Sequence, residues 1–445
     1  MSDTEEEPGL PIPARYFALA AILITIAIGV IDASSLNVVL PHIATTFDVS
    51  PAEAIRLVSA FQITIVAMLL PCASLAEKFG YRRMLVTGLT LFVISSVVCF
   101  FARSMPELLI ARIGAGFAGA CIFATTTALV RLSQPRKRLG RTVGMVATVV
   151  AVSTGLGPAI ATTIVAYADW AWIFVPNIAF GLLALVLTRS LPVVRDRARP
   201  IHVVSAALSA ATFSLLIIGV SNAVARPLLG AACLALGLAA GIALLCRERS
   251  TTFPILPVDL FRLPQFSIAV AGSVFLFLTQ MTAFVALPFY LHQHFDGVTV
   301  GMLLIVWPVA VALTAPVAGR LSDRMSGGLL CAVGSAMLGL GLIALVNIAP
   351  SSVALMIAAM ALCGSGFGLF QTPNNRSMLL AVPRARVGAA GGMQATARQF
   401  GQALGASVAA LGFTLSPALG GTISLSVAAG TAFLALLISL VKPRG

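Results

Sequence analysis

Two charged residues stand where charge is expensive. Asp32 lies inside the apolar run 16–40, and Arg112 lies inside the run 107–130. Of fifteen acidic residues, Asp32 alone falls well inside such a run. A charged aspartate at a bilayer centre costs roughly 2.5–3.5 kcal/mol on insertion scales, so it faces water or a partner and marks function. If the two runs are antiparallel helices reaching one surface, Asp32 lies about 12 Å below that surface and Arg112 about 8 Å. Burial and a neighbouring guanidinium act on a carboxyl group in opposite directions, so a small rearrangement can load or release a proton. Asp32 is therefore the candidate proton-carrying carboxylate, with Arg112 as its partner. Alternatively, the pair is a fixed salt bridge that only joins two helices.

Other polar side chains inside apolar runs could line a cavity or bond to neighbouring helices: Asn37, Gln62, Gln280, Gln371, Asn374, Gln394, Arg398 and Gln402. Arg398 either attracts an anionic group of a substrate or snorkels to the membrane surface. His292 and His294, near one end of a run, are either pH sensors or ordinary interfacial histidines. Gly157-Pro158 suits a bendable contact, because proline removes a backbone donor. Ser153, Gly157 and Ala161 form a small-residue stripe that lets another helix approach closely. Gly401, Gly405 and Ala409 read the same way, as packing.

The elements that must position these residues follow from composition. Of 445 residues, 59% are hydrophobic and only 10% are charged, too few charges for a soluble chain of this length. The apolar runs are long rather than alternating, which predicts spanning helices and excludes a barrel. Spans are expected at about 16–40, 55–76, 83–102, 107–130, 141–166, 170–190, 201–222, 227–246, 266–291, 299–320, 329–348, 353–373, 387–413 and 421–441. Twenty-three of the 28 basic residues fall in alternate loops and at the two termini. The other loops hold only Arg56, Arg103 and Arg226, and Arg112 and Arg398 lie within spans. Basic loops face the cytoplasm, so both termini are expected there. This dispersal explains the net charge of +13 without a nucleic-acid partner. The seven cysteines include no C-x-x-C pair and sit in or beside apolar runs, as small buried hydrophobes. The acidic start Met1–Pro8 does not look like a signal peptide.

Two loops resemble each other: Ala73-Ser74-Leu75-Ala76-Glu77-Lys78-Phe79-Gly80-Tyr81-Arg82-Arg83 and Gly319-Arg320-Leu321-Ser322-Asp323-Arg324. Both fit small-x-Leu-x-acid-base, an internal repeat of the kind that builds two-halved transporters. With these residues the chain resembles the major facilitator superfamily, in particular its fourteen-spanner drug:proton antiporter branch. The first loop is similar to G-x-L-a-D-r-x-G-r-r, with Ala73 for Gly and Glu77 for Asp. The segment 31–41 resembles L-D-x-T-x-x-N-V-A-L-P, and Arg112-x-x-Ala115-Gly116 resembles R-x-x-Q-G. Gly144, Ser153, Gly157, Pro158, Ala161 and Thr162 keep the spacing of the antiporter motif in the fifth span. Trp170-Ala171-Trp172-Ile173-Phe174 resembles W-R-W-x-F, while Arg56 stands where the family usually has Trp.

The resemblance implies an all-α membrane protein with the major facilitator fold. A cytoplasmic tail (1–15) precedes a six-helix half (16–190). A linker (191–265) carries two extra spans, and a second six-helix half (266–441) ends in a short tail (442–445). It implies gating roles for Glu77, Lys78, Gly80, Arg82, Arg83, Gly157, Pro158, Gly319, Asp323 and Arg324. The chain has no phosphate loop, nucleophile motif or metal-ligand cluster, so ATP-driven transport and enzymatic catalysis are not expected. The expectation is a monomeric, multi-pass protein of the bacterial inner membrane that needs no cofactor or metal. It would export hydrophobic or amphipathic small molecules in exchange for protons. A dedicated exporter of one metabolite, lipid or natural product on the same fold remains the alternative.

Overall fold

The computed structural model describes residues 10–193, 202–249, 256–322, 324–348, 352–383 and 386–441. Asp323, most of the 1–15 tail, the 442–445 tail and Arg195, Arg197, Arg199 and Arg384 lie outside them. Among the described residues there are fourteen α-helices and no strands. The first six are α1 (Ala14–Thr46), α2 (Pro51–Phe79), α3 (Tyr81–Phe101), α4 (Met105–Ser133), α5 (Arg136–Tyr167) and α6 (Val175–Leu187). A hairpin follows, α7 (Val203–Ser221) and α8 (Pro227–Glu248). The last six are α9 (Pro264–His292), α10 (Gly297–Leu321), α11 (Gly327–Asn347), α12 (Val353–Leu380), α13 (Val387–Leu415) and α14 (Gly420–Leu440). Among the described residues, thirteen helices are long and apolar enough to cross a membrane; α13, which carries Arg398, is not one of them.

Local chemistry sets the helix starts. Ser50 and Glu53 form a capping box at the start of α2, with Pro51 in its first turn. Asp296 caps α10 by accepting from the amides of Val298 and Thr299, and Ser326 caps α11. Gly80 joins α2 to α3 with φ 101°, a conformation that side chains rarely tolerate. That requirement accounts for the glycine of the first loop motif.

The two six-helix sets are built alike. α1 packs on α5, α2 on α4, and α3 on α4 and α6; α9 packs on α13, α10 on α12, and α11 on α12 and α14. The likeness extends to single hydrogen bonds. Ser35 Oγ donates to the Gly157 carbonyl (3.0 Å), joining α1 to α5. Thr282 Oγ1 donates to the Gly405 carbonyl (3.0 Å), joining α9 to α13, with both partners about 247 residues further along. A Cβ on Gly157 would fall 1.9 Å from Ser34 Oγ, and one on Gly405 2.5 Å from the Leu278 carbonyl. The small-residue stripes therefore serve close helix approach within each half.

Between the halves, α2 meets α13 and α5 meets α10. α7 covers the first seam: Phe213 lies edge-on to Phe400 (centroids 5.2 Å apart), and Ser221 Oγ donates to Ser407 Oγ (2.8 Å). The second seam presents Val152, Leu156, Val309 and Leu313 outward. At the end away from the termini, one buried apolar cluster runs through both halves, including Leu40, Ile55, Leu287, Leu291 and Trp307. Towards the terminal end, most buried clusters belong to one half, although Val66 of α2 and Ala403 of α13 share a small one and Leu70 of α2 packs against another. The seam is thus sealed at the end away from the termini.

Candidate functional site

Asp32 and Arg112 meet, as their depths predicted. Arg112 Nη1 donates to both carboxylate oxygens of Asp32, at 3.1 Å and 2.9 Å. Both residues are buried, Arg112 at 1% exposure and Asp32 at 3%. The guanidinium carbon lies 4.3 Å from the centroid of the Phe61 ring, on α2, which offers it a cation–π contact. Arg112 Nε and Nη2 have no acceptor among the described residues.

A third residue completes the group. Asn177 Nδ2, on α6, donates to Asp32 Oδ1 at 2.8 Å, and Asn177 is itself 1% exposed. One carboxylate thus collects donors from α4 and α6 while sitting on α1. A charge held this way is balanced by an opposite charge and by dipoles that favour it. Protonating the carboxylate weakens both contacts together, which links its charge to the packing of three helices. Sequence reading missed Asn177, although a lone amide within the run 170–190 was a visible signal.

Among the described residues, the second six-helix set shows no such group. The position about 247 residues beyond Asp32 is Thr279, whose hydroxyl pairs with that of Thr431 on α14 at 2.8 Å. The counterpart of Arg112 is Ala359, a buried apolar residue. The Asp32–Arg112 ion pair therefore has no repeat in the second half, whose own charge within a span, Arg398 on α13, sits elsewhere.

Between the halves lies a small pocket walled by α1, α5, α9, α10 and α12; Asp32 is not among its lining residues. α1 contributes Ser34 and Asn37, α5 contributes Thr154 and Pro158, and α9, α10 and α12 supply mostly apolar side chains, Trp307 among them. Of the cavity candidates, only Asn37 lines this pocket. Gln62 is buried on α2 with Oε1 unpaired, and Gln280, Gln371 and Gln394 are half-buried elsewhere. Asn374 is spent on helix packing: its Nδ2 donates to the Ala269 carbonyl and to Ser273 Oγ, both at 2.9 Å. Arg398 lies with its guanidinium carbon 5.8 Å from the Phe123 ring centroid, reaching from α13 to α4. Pro158 lines the pocket, and Gly157 beside it holds α1.

Lys78 and Arg82 are half-buried and Arg83 exposed around the Gly80 turn, while Gly319 lies within the last turns of α10 and Arg324 is exposed beyond it. Glu77 is half-buried at the end of α2. Arg376 Nη1 donates to Ser322 Oγ at 3.0 Å and ties the end of α10 to α12, a contact that motif reading did not anticipate. At the sealed end, His292 meets His42 of α1 edge-on, with ring centroids 5.3 Å apart. That pair joins the two halves.

Comparison with known proteins agrees with this architecture. A family profile described as the Major Facilitator Superfamily matches residues 22–406. An uncharacterized transporter, YebQ of Escherichia coli K12, is 42% identical over 98% of both chains. The riboflavin transporter RibZ of Clostridioides difficile is 27% identical, covering 88% of this chain and 86% of its own. The multidrug resistance protein Stp of Mycobacterium tuberculosis is 29% identical, covering 88% of this chain and 74% of its own. A crystal structure of a POT family transporter, bound to a thioalcohol-conjugated peptide, superposes with a TM-score of 0.75 over 95% of both chains, at 15% identity.

Proposed function

The chain belongs to the major facilitator superfamily, and from that premise we propose that it exports amphipathic or hydrophobic small molecules in exchange for protons. The observation that carries this is Asp32: one buried carboxylate on α1, the helix that also lends Ser34 and Asn37 to the inter-half pocket, held by Arg112 and Asn177. Substrate binds in the pocket from the terminal side; the basic loops support placing that side in the cytoplasm of an inner-membrane protein. The seal at the other end then corresponds to an inward-facing state. A proton arriving at Asp32 neutralises the carboxylate, loosens its hold on α4 and α6, and resets the halves; release to the cytoplasm restores the ion pair. Relatives whose names record multidrug resistance support the export reading.

Reconstitution in liposomes with an imposed pH gradient tests it. Accumulation of lipophilic compounds that collapses with the gradient, and is lost in Asp32→Asn, is the expected result. Accumulation that ignores the gradient sinks the antiport.

A narrower exporter of one compound is the second reading. It is favoured by the modest size of the pocket and by a relative named for a single vitamin. One compound moved far faster than all others in the same assay would establish it.

A further inference from the structure

Arg398 carries a charge within a span that no acidic side chain answers. At the rise of an α-helix it lies about 16 Å in from the start of α13 at Val387. Phe123, whose ring centroid is 5.8 Å from the guanidinium carbon, lies about 15 Å from the end of α4 at Ser133. That end of α4 is the terminal end, since the Leu10 amide donates to the Ser133 carbonyl at 3.2 Å. The two residues stand at similar depth, so the guanidinium reaches sideways from one half to the other and does not snorkel to the surface.

Helix rotation fixes which way Arg398 points. Phe400, about 200° further round α13, meets Phe213 of α7 on the outside of the seam. Gly401, about 300° round, lies against α9, where a Cβ would fall 2.4 Å from the Val274 carbonyl. Arg398 is left facing the space between the halves. α13 packs on α2, α7, α9, α12 and α14, and the guanidinium reaches past them to α4. Gln394 and Gln402 stand one turn to either side of it on the same face. All three side chains are half-buried, and among the described residues none has a hydrogen-bonding or ionic partner. Their polar atoms are not sealed in the packing. Gly391, about two turns nearer the terminal end on the same face, has nothing within 4 Å of where a Cβ would stand, so open space continues towards that end.

An intramembrane cation is expensive and persists where it meets a counter-charge. Asp32 cannot supply one here, because Arg112 and Asn177 hold it. A guanidinium offers a planar fork to an oxyanion, and an amide on either side adds N–H donors. We propose that Arg398, with Gln394 and Gln402, binds the anionic group of substrates on the terminal side of the inter-half pocket. The substrates are amphipathic organic anions: a carboxylate or sulfonate seated on this stripe, with an apolar body against Phe123. This assignment narrows the export reading and rests on it for its purpose, but its test is binding alone.

Purified protein in phosphatidylcholine nanodiscs is titrated calorimetrically with 2-naphthoate and with its neutral isostere 2-naphthamide, after subtraction of empty nanodiscs. Wild-type protein should prefer the carboxylate by about tenfold to a hundredfold, the value of hydrogen bonds to a charged group. Arg398→Gln should erase that preference and still bind the amide as wild type does. Arg398→Lys, which keeps the charge and loses the fork, should retain part of it. Arg398→Gln should also melt no lower than wild type, because it deprives no partner. Native mass spectrometry should show phosphatidylglycerol retained equally by wild type and Arg398→Gln. Equal binding of the two naphthyl compounds by wild-type protein, an undiminished preference in Arg398→Gln, or a markedly lower melting temperature of that variant overturns the assignment. Phosphatidylglycerol retention that depends on Arg398 would overturn it too, by giving the stripe to a lipid headgroup. Failure of proton-driven transport with the binding preference intact would strike the antiport and spare this site.

Discussion

Asn177 donates a 2.8 Å hydrogen bond to the carboxylate that Arg112 also holds, so the side chain of Asp32 is anchored by two helices of its own half. The amide stands 145 residues from its acceptor. A hydrogen bond to a charged group contributes about 1.5–3 kcal/mol. Asn177→Ala should lower thermal stability by about that amount and alter the pH profile of exchange in liposomes. A purely structural amide would change the melting temperature and leave the profile's shape untouched. Asn177→Gln, which keeps the donor, should restore part of the profile.

Removing one member of the buried ion pair leaves a charge alone in a dry site, at a cost of about 3–5 kcal/mol, whereas replacing both by apolar groups is often neutral. Asp32→Asn and Arg112→Leu should each destabilise the protein, and the double variant should recover most of that loss. If Asp32 carries the coupling proton, the double variant stays inactive in gradient-driven transport despite its recovered stability. A stable, coupled double variant would reduce the pair to a structural tie.

Glycine positions separate by contact. A side chain at Gly157 meets Ser34 Oγ at 1.9 Å, while one at Gly391 meets nothing within 4 Å. Gly157→Val should force α1 from α5, at an overpacking cost of about 1–3 kcal/mol, and abolish transport. Gly391→Ala should leave both stability and transport near wild type. Melting curves and uptake assays compare the two directly.

His42 and His292 bridge the halves at the sealed end, so alternating access must part them. His42→Cys with His292→Cys, in a Cys246→Ser background because Cys246 is the exposed native thiol, provides a cross-linkable pair. A bifunctional thiol reagent should halt transport, and a reductant-cleavable version should restore it on cleavage. Undiminished transport by fully cross-linked protein would remove this pair from any moving seal.

Outside the membrane layer, Asp296 gives a pH dependence with a definite sign. Hydrogen bonds from Thr299, side chain and amide, and from the Val298 amide hold its carboxyl below the usual carboxylate range. A depressed folded-state value adds stability above the unfolded value of about 3.9. That stability drains away as pH falls through the lower folded value. Asp296→Ala should therefore melt earlier than wild type at pH 7, and the difference should shrink as the pH is taken below about 4.

Much of this was legible in the residues alone. Bilayer thickness fixes how long an apolar run must be, and backbone hydrogen bonding inside lipid forces each run into a helix. Fourteen expected spans correspond to fourteen helices, with α1 running on through Pro41 to Thr46 beyond its expected end. The cost of intramembrane charge singled out Asp32 and Arg112, and helix rise gave them similar depth. The small-residue stripe around Gly157 announced a close helix contact, which proved to be with α1.

What only the tertiary structure decided is where each polar side chain turns. In water an apolar stripe identifies the buried face of a helix, but in a membrane both lipid and protein core are apolar, so the pattern loses that meaning. Sequence placed Asn37, Asn374 and Asn177 in spans without distinguishing them. The fold gave Asn37 to the pocket, spent Asn374 on α9 and set Asn177 against Asp32. It likewise brought Trp307 to the pocket and His42 to His292 across the seam, because partners on helices far apart in the chain are chosen by how those helices rotate and pack.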